Sequence, residues 1–252
     1  MRPMTTTAKL LDARRWRIRV LSRAFPLLWR PDPGAGSLQM VRLGSTYGGW
    51  WVPDGVLDVD AACYCAGVGT DISFDLALIT RYGARVWGLD PTPESVRWTA
   101  EQDLDPRFTH LPVGVAGSSG HLRFYAPSDP HHVSHSIKNL QRTCDYFTAE
   151  CATIRTIMDR VGHDHLDLLK LDVEGAEHET IRTLLRDGIR PRVLCVEFDQ
   201  PDPVLSTDRT VRALRSADYR LAKVDAFNMT FVQASCVPSA AARSASASTR
   251  SP

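Results

Sequence analysis

The chain has 252 residues, enough for one α/β domain with extensions and cramped for two. Thirty basic residues against 29 acidic ones leave a formal charge of +1, so no global field draws the protein to nucleic acid. The longest apolar runs are too short to cross a bilayer, and the start lacks the apolar segment and cleavage site of a secretory signal. The expectation is a cytoplasmic chain with no stable membrane insertion and no nucleic-acid partner.

Residues 1–36 read as a basic N-terminal helix or arm. Leu10, Leu11, Ile18, Leu21 and Phe25 interrupt Arg14, Arg15, Arg17, Arg19 and Arg23, and the expected form is a solvated helix covering the domain or a loose arm rather than a membrane-surface helix. After the Pro31–Gly36 breakers, residues 37–237 alternate strand-like and helix-like segments, which predicts a mostly parallel sheet with crossover helices. A first strand over Ala61–Ala66 ends in Gly67-Val68-Gly69, and Asp71 stands where a helix N-cap is wanted. Ile72, Leu76 and Ile79 give that helix an inward face, with Gly83 as its stop.

Arg85–Asp90 predicts a second strand, ended by Pro91 and Pro93. Phe108–Val115 supplies a third, His121–Tyr125 a hairpin or insertion, and Pro127–His135 a loop. Leu166–Lys170 is an apolar strand core that runs into an acid-rich turn and a helix with Ile181, Leu184 and Leu185 inward and Gly188 beyond its end. Arg192–Phe198 predicts a strand, Thr210–Ala217 a helix, and Tyr219–Asp225 with Asn228–Gln233 a closing antiparallel pair. The Ser/Ala/Arg-rich tail, residues 238–252, has no apolar face and is expected to be disordered. Six cysteines, at 63, 65, 144, 151, 195 and 236, include no CxxC pair and suit buried thiols in a reducing compartment.

The chemistry concentrates at the strand ends. Gly67 and Gly69 permit close backbone approach, and Asp90 follows Gly69 by 21 residues, where a carboxylate can accept hydrogen bonds from ribose hydroxyls. The third glycine of a dinucleotide fingerprint would fall at Ile72, so a helix packed tightly beneath a pyrophosphate is disfavoured and S-adenosylmethionine is favoured over NAD. Asp71 serves as a cap and could also touch the ligand. Asp172, Glu174, Glu177 and Glu197 fall at or beyond two strand ends; Asp172 is the first candidate for an acceptor-side catalytic role and Glu197 the second. Glu177 suits the first turn of a helix, and Lys170 suits neutralisation of neighbouring acids. His135, in an HHxxH loop with His131 and His132, is a third catalytic candidate. Neither these histidines nor Cys63 and Cys65 have zinc-ligand spacing, so a metal is not expected, although a divalent ion is one chemical route to activating a hydroxyl.

Three segments resemble the FkbM family of S-adenosylmethionine-dependent methyltransferases: Gly67–Leu78, Gly88–Pro93, and Leu168–Glu177, within which Lys-x-Asp-Val-Glu-Gly-Ala-Glu is the most specific string. The looser match runs from about Tyr47 to Gln233. The resemblance implies a class I methyltransferase fold of Rossmann-like type, with Gly67, Gly69 and Asp90 on the cofactor and O-methylation of a small acceptor such as a sugar or secondary metabolite. The commoner Asn-Ile-Gly loop of the family is absent here, which separates Asp172 and Glu197 from roles assigned in better-known members. An NAD-dependent oxidoreductase and a non-catalytic nucleotide-binding module are the alternatives.

Overall fold

The computed structural model describes residue 16 and residues 19–125, 145–198 and 204–238. A helix over residues 19–28 (α1) precedes an antiparallel hairpin, β1 (Met40–Leu43) and β2 (Trp50–Pro53). Strand and helix then alternate through β3 (Ala62–Ala66), α2 (Ser73–Tyr82), β4 (Arg85–Leu89), α3 (Pro93–Ala100) and β5 (Phe108–Leu111). A three-stranded insertion follows, built of β6 (Gly114–Val115), β7 (Gly120–Tyr125) and β8 (Tyr146–Ala152). The rest of the fold is α4 (Ile154–Val161), β9 (Leu168–Leu171), α5 (Glu177–Arg186), β10 (Val193–Glu197), α6 (Leu205–Ser216), β11 (Tyr219–Asp225) and β12 (Asn228–Gln233).

Seven strands form the main sheet in the order β5-β4-β3-β9-β10-β12-β11. Counted along the chain within that sheet, the order is 3-2-1-4-5-7-6. The first five are parallel to one another, and β12 runs antiparallel to both β10 and β11. This is the expected class I methyltransferase arrangement, a mostly parallel sheet flanked by helices and closed by an antiparallel pair.

Both faces are covered, so the central strands are apolar apart from Lys170 of β9 rather than alternating with polar residues. Successive side chains still point to opposite sides. Tyr64 and Ala66 of β3 pack with Leu169, Leu171, Leu194 and Val196 against α4, α5 and α6, while Cys63, Cys65, Leu168 and Cys195 pack with Phe74 and Leu78 of α2 and with the β1–β2 hairpin. The cysteines at 63, 65, 151 and 195 are buried free thiols, and Cys236 is half-buried and free.

Helix α1 enters the first of these layers. Phe25 is fully buried and meets Trp29 at 4.7 Å and Phe227, in the β11–β12 turn, edge-on at 4.8 Å between ring centroids. Asp32 fixes the segment that follows, accepting from Arg215 Nε and Nη2 at 3.2 and 2.7 Å and from the Leu221 amide at 2.8 Å.

Several expectations change. The Phe108–Val115 run is two strands in two different sheets, because Pro112 cannot continue the ladder and Gly114 pairs instead with Cys151. Strand β8 and helix α4 went unpredicted, as did the β1–β2 hairpin, whose strands have four residues each. Helix α6 begins at Leu205 rather than Thr210. Asp71 is not the N-cap of α2; Ile72 occupies that position. His131, His132 and His135, Cys144, the arginine-dotted start up to residue 15 and the tail from residue 239 lie outside the described residues.

Phe25→Ala should destabilise the protein by about 3–5 kcal/mol, the usual cost of deleting a buried aromatic ring, read as a lower urea midpoint with unchanged slope. A loss below about 1 kcal/mol would mean that α1 is not part of the cooperative core.

Candidate functional site

Strands β3 and β9 are adjacent, yet the chain leaves β3 through α2 on one face and leaves β9 through α5 on the other. Such a switch point opens a crevice beyond the carboxyl ends of the strands. Here it is a cleft of about 1140 Å³, its open mouth included, lined by the Gly67–Asp71 loop, Asp90–Thr92 after β4, Asp172–Glu174 after β9, and Val115 and Phe124 from the insertion.

The two glycines of the loop have different reasons. Gly67 sits at φ 84°, and a Cβ there would lie 2.0 Å from the Asp172 carbonyl oxygen. The missing side chain therefore lets the ends of β3 and β9 meet, which differs from the sequence expectation that it clears space for a ligand. Gly69 adopts φ 55° and a Cβ on it would meet nothing within 4 Å, so backbone conformation, not space, asks for glycine.

Asp90 is buried and builds this loop. Its Oδ2 accepts from the Val68 and Gly69 amides at 3.0 and 2.9 Å, and its Oδ1 from the Thr92 amide at 2.8 Å. Thr92 in turn caps α3, with Pro93 in the first helical position, where its missing N–H costs nothing. The Asp-Pro-Thr-Pro string is thus one device that ends β4, starts α3 and shapes the glycine loop.

Asp71 ties the same loop to the hairpin. Its Oδ1 accepts from the Ser73 amide at 2.9 Å and its Oδ2 from the Ser45 hydroxyl at 2.6 Å, while Ser73 Oγ accepts from the Ser45 amide at 2.7 Å. Burial pushes the Asp71 carboxyl upward, but the hydrogen bonds from Ser45 and Ser73 outweigh it and hold its pKa below the ordinary value. These bonds swing the hairpin turn over the cleft. Tyr47, 87% exposed at that turn, lines the mouth, and its phenol is pushed above its ordinary pKa by desolvation and then by the charges of Asp172, Glu197, Glu174 and Asp71.

Beneath the loop lies a buried charge cluster. Lys170 Nζ donates to the Gly67 carbonyl at 2.7 Å and pairs with Asp172 Oδ2 at 3.3 Å. Burial disfavours the ammonium, but Asp172 and Asp75 more than compensate and raise its pKa, so it stays charged. Asp75 also lines the cleft, is 3% exposed, and its Oδ1 has no hydrogen-bond partner among the described residues. Desolvation raises its pKa to about 6, against the pull of Lys170 and the Cys65 thiol.

The other acids divide by role. Glu177 is 1% exposed and its carboxylate accepts from the Val173 and Gly175 amides, so it folds the β9–α5 turn. Glu174 occupies that turn at φ 51° and lines the cleft. Glu197 ends β10 one strand beyond Asp172, half-buried, and is not among the cleft-lining residues. The structure brings Gly67, Gly69, Asp71, Asp90 and Asp172 together around the cleft, sets Glu197 to one side, and does not describe His135.

The family model of the Methyltransferase FkbM domain matches residues 61–221, the span that holds this cleft. The chain belongs to the FkbM methyltransferase-domain family. A search of curated protein sequences returns no match. Among solved structures, the chain is similar to a Haloferax volcanii complex between the Trm112 methyltransferase activator and a protein assigned as a methyltransferase, at 14% identity and a TM-score of 0.36, covering 84% of this chain and 76% of that one. It is also similar to Aeropyrum pernix fibrillarin with natively bound S-adenosyl-L-methionine, at 10% identity and a TM-score of 0.39, covering 82% and 86%. Both likenesses are too distant to bear on acceptor or partner.

Within this FkbM-domain chain, sequence reasoning missed Asp75, Tyr47 and Ser45. Asp75 left a signal: it falls on the same helical face as Ile72 and Ile79, an acid where the spacing calls for an apolar residue. Tyr47 and Ser45 left none, because a short hairpin turn has no periodicity. No group of three or more His, Cys, Asp or Glu that could hold a metal occurs among the described residues.

A carboxyl raised from about 3.9 in the unfolded chain to about 6 in the fold keeps its proton longer when folded. Its contribution is fully present below about pH 4 and is lost as pH rises towards 6, by about 3 kcal/mol. Asp75→Asn should remove this loss, so the urea stability of the variant relative to wild type should rise between pH 4 and pH 7. A difference independent of pH would show that Asp75 titrates normally.

Proposed function

We propose that this chain transfers a methyl group from S-adenosylmethionine to a hydroxyl oxygen of a small acceptor, a sugar or secondary metabolite. The observation that carries the reading is the charge of the cleft. Among the described residues its lining includes six acids, Asp71, Asp75, Asp90, Glu94, Asp172 and Glu174, against Lys170 alone. Such a surface favours a ligand bearing a sulfonium and an ammonium and repels the diphosphate of NAD. The start of α2 is also closed to a phosphate, since Asp71 already holds the Ser73 amide. This argues against the oxidoreductase alternative.

The residues present fit the cofactor. The Gly67–Gly69 loop, stiffened by Asp90, offers backbone to the adenosine, and Leu89, Val115 and Phe124 supply apolar surface for a purine. Asp90 has used three of about four acceptor positions on the loop and the α3 turn, so Glu94 shares the ribose hydroxyls with it. The unpartnered Oδ1 of buried Asp75 suits the amino group of the methionine part. S-adenosylmethionine supplies an electrophilic methyl on a sulfonium, which needs only an aligned nucleophile. Asp172 takes the acceptor side, orienting the hydroxyl and receiving its proton, with Lys170 holding the carboxylate in place. Glu197 supports Asp172 from the neighbouring strand, and His135 keeps the candidacy that its loop position suggests. No step requires a metal.

Calorimetry with purified protein should show binding of S-adenosylmethionine and S-adenosylhomocysteine and none of NADH. Asp90→Ala should weaken both ligands and lower the melting temperature together, because three amides lose their acceptor. Binding of NADH alone would overturn the assignment.

Once an acceptor is found by screening hydroxylated sugars and metabolites for release of S-adenosylhomocysteine, Asp172→Asn should cut kcat by about 100-fold or more with little change in cofactor affinity. Equal losses in both would move Asp172 to the cofactor side.

A further inference from the structure

The uniform charge balance of the chain conceals a strong asymmetry. Residues 1–30 hold eight of the 30 basic side chains and one of the 29 acidic ones, a local charge of +7 in a chain whose total is +1. Helix α1 carries part of this charge, with Arg19 and Arg23 on it and Arg30 just beyond it.

The helix is apolar on two sides. Its inner side is accounted for by Phe25, buried against Phe227, and by the half-buried Leu21. Its outer side is not. Trp16 is 67% exposed and Leu27 73%, with Val20 and Leu28 also exposed, so half of the exposed large hydrophobics among the described residues fall in one short stretch. On α1, Val20 and Leu27 are seven residues apart and share one side of the helix, with Arg23 between them and Arg19 beside them. The outer side of a helix that only covers a domain in water is mainly charged and polar, and clustered apolar residues there are informative.

We propose that this face of α1 is a docking surface for an anionic lipid membrane, on which the protein lies peripherally. Tryptophan and leucine enter the headgroup boundary while arginines snorkel to lipid phosphates, a division of labour that matches the chemistry of this face. The inner anchor makes the helix a rigid attachment rather than a tether. Phe25 rests on Phe227, whose carbonyl accepts from the Phe198 amide just past the end of β10, so the attachment is at the same end of the sheet as the cleft. No helix among the described residues is long and apolar enough to cross a membrane, and a surface-bound mode needs none.

The test is co-sedimentation of the full chain with vesicles of phosphatidylcholine alone and of phosphatidylcholine and phosphatidylglycerol in equal parts. The protein should pellet with the anionic vesicles only, and added salt should release it. The double variant Arg19→Glu with Arg23→Glu should weaken that binding at least about tenfold, and Leu27→Ser with Leu28→Ser should weaken it too, both with unchanged melting temperature. Equal binding to both vesicle types, or to neither, overturns the proposal. So does a lipid-free dimer that Leu27→Ser with Leu28→Ser dissolves, which would make the face a contact between two copies. Tighter binding to a duplex oligonucleotide than to anionic vesicles would assign the arginines to nucleic acid and overturn it equally.

Discussion

The cleft depends on the contact between the backbone after β3 and the backbone after β9. These strands are neighbours in the sheet although more than a hundred residues separate them, and their ends meet only because Gly67 has no side chain to strike the Asp172 carbonyl. That approach puts the loop carbonyl of Gly67 within reach of Lys170, brings Asp172 beside the same ammonium, and leaves the loop amides free to turn towards Asp90. Any side chain at position 67 would therefore disturb the Gly67–Gly69 loop, Asp172 and the buried Lys170 together. The site is a single mechanical unit, not a set of independently placed residues.

Lys170 is the energetically expensive member of that unit. An ammonium taken out of water costs several kcal/mol unless charge and hydrogen bonds replace the lost solvent. Asp172, Asp75 and the Gly67 carbonyl supply the replacement, and the balance comes out in favour of the charged form. Asp75 is left with the weaker share, protonating more easily than an ordinary carboxyl and keeping one oxygen without a partner. A buried polar atom without a partner is a standing cost in the free protein. A cationic group placed against Asp75 would remove that cost.

Much of this architecture was legible in the sequence, and the reason lies in periodicity. The runs at 61–66, 85–90, 166–170, 192–198, 219–225 and 228–233 are apolar, bounded by glycine, proline or acids, and each is a strand within one or two residues. Gly83 closes α2 in a left-handed turn as its position suggested. What could not be read is what depends on contact across the sequence. Asp90 stood out by its distance from the glycines, but its grip on the Val68 and Gly69 amides is a tertiary fact. Asp172 and Glu197 stand in the sequence as first and second candidates at two strand ends, and spacing alone does not show that one lines the cleft and the other does not, because the cleft opens at the β3–β9 junction rather than at β10. The β1–β2 hairpin escaped because strands of four residues carry too few alternations to register, although its turn forms one wall of the site.

Net charge illustrates the same limit. A total of +1 excludes a strong global field, and that inference holds for the molecule as a whole. It says nothing of how charge is distributed, and here residues 1–30 carry +7 while the charged residues that line the cleft are, among the described residues, mostly acids. Fields from exposed charges fade within about 10 Å at ordinary ionic strength, so the two regions do not cancel at their own surfaces. Each therefore attracts charge of the opposite sign at its own surface. Because Phe25 locks α1 to the β11–β12 turn, the basic face of α1 and the acidic cleft are held in fixed relation to each other.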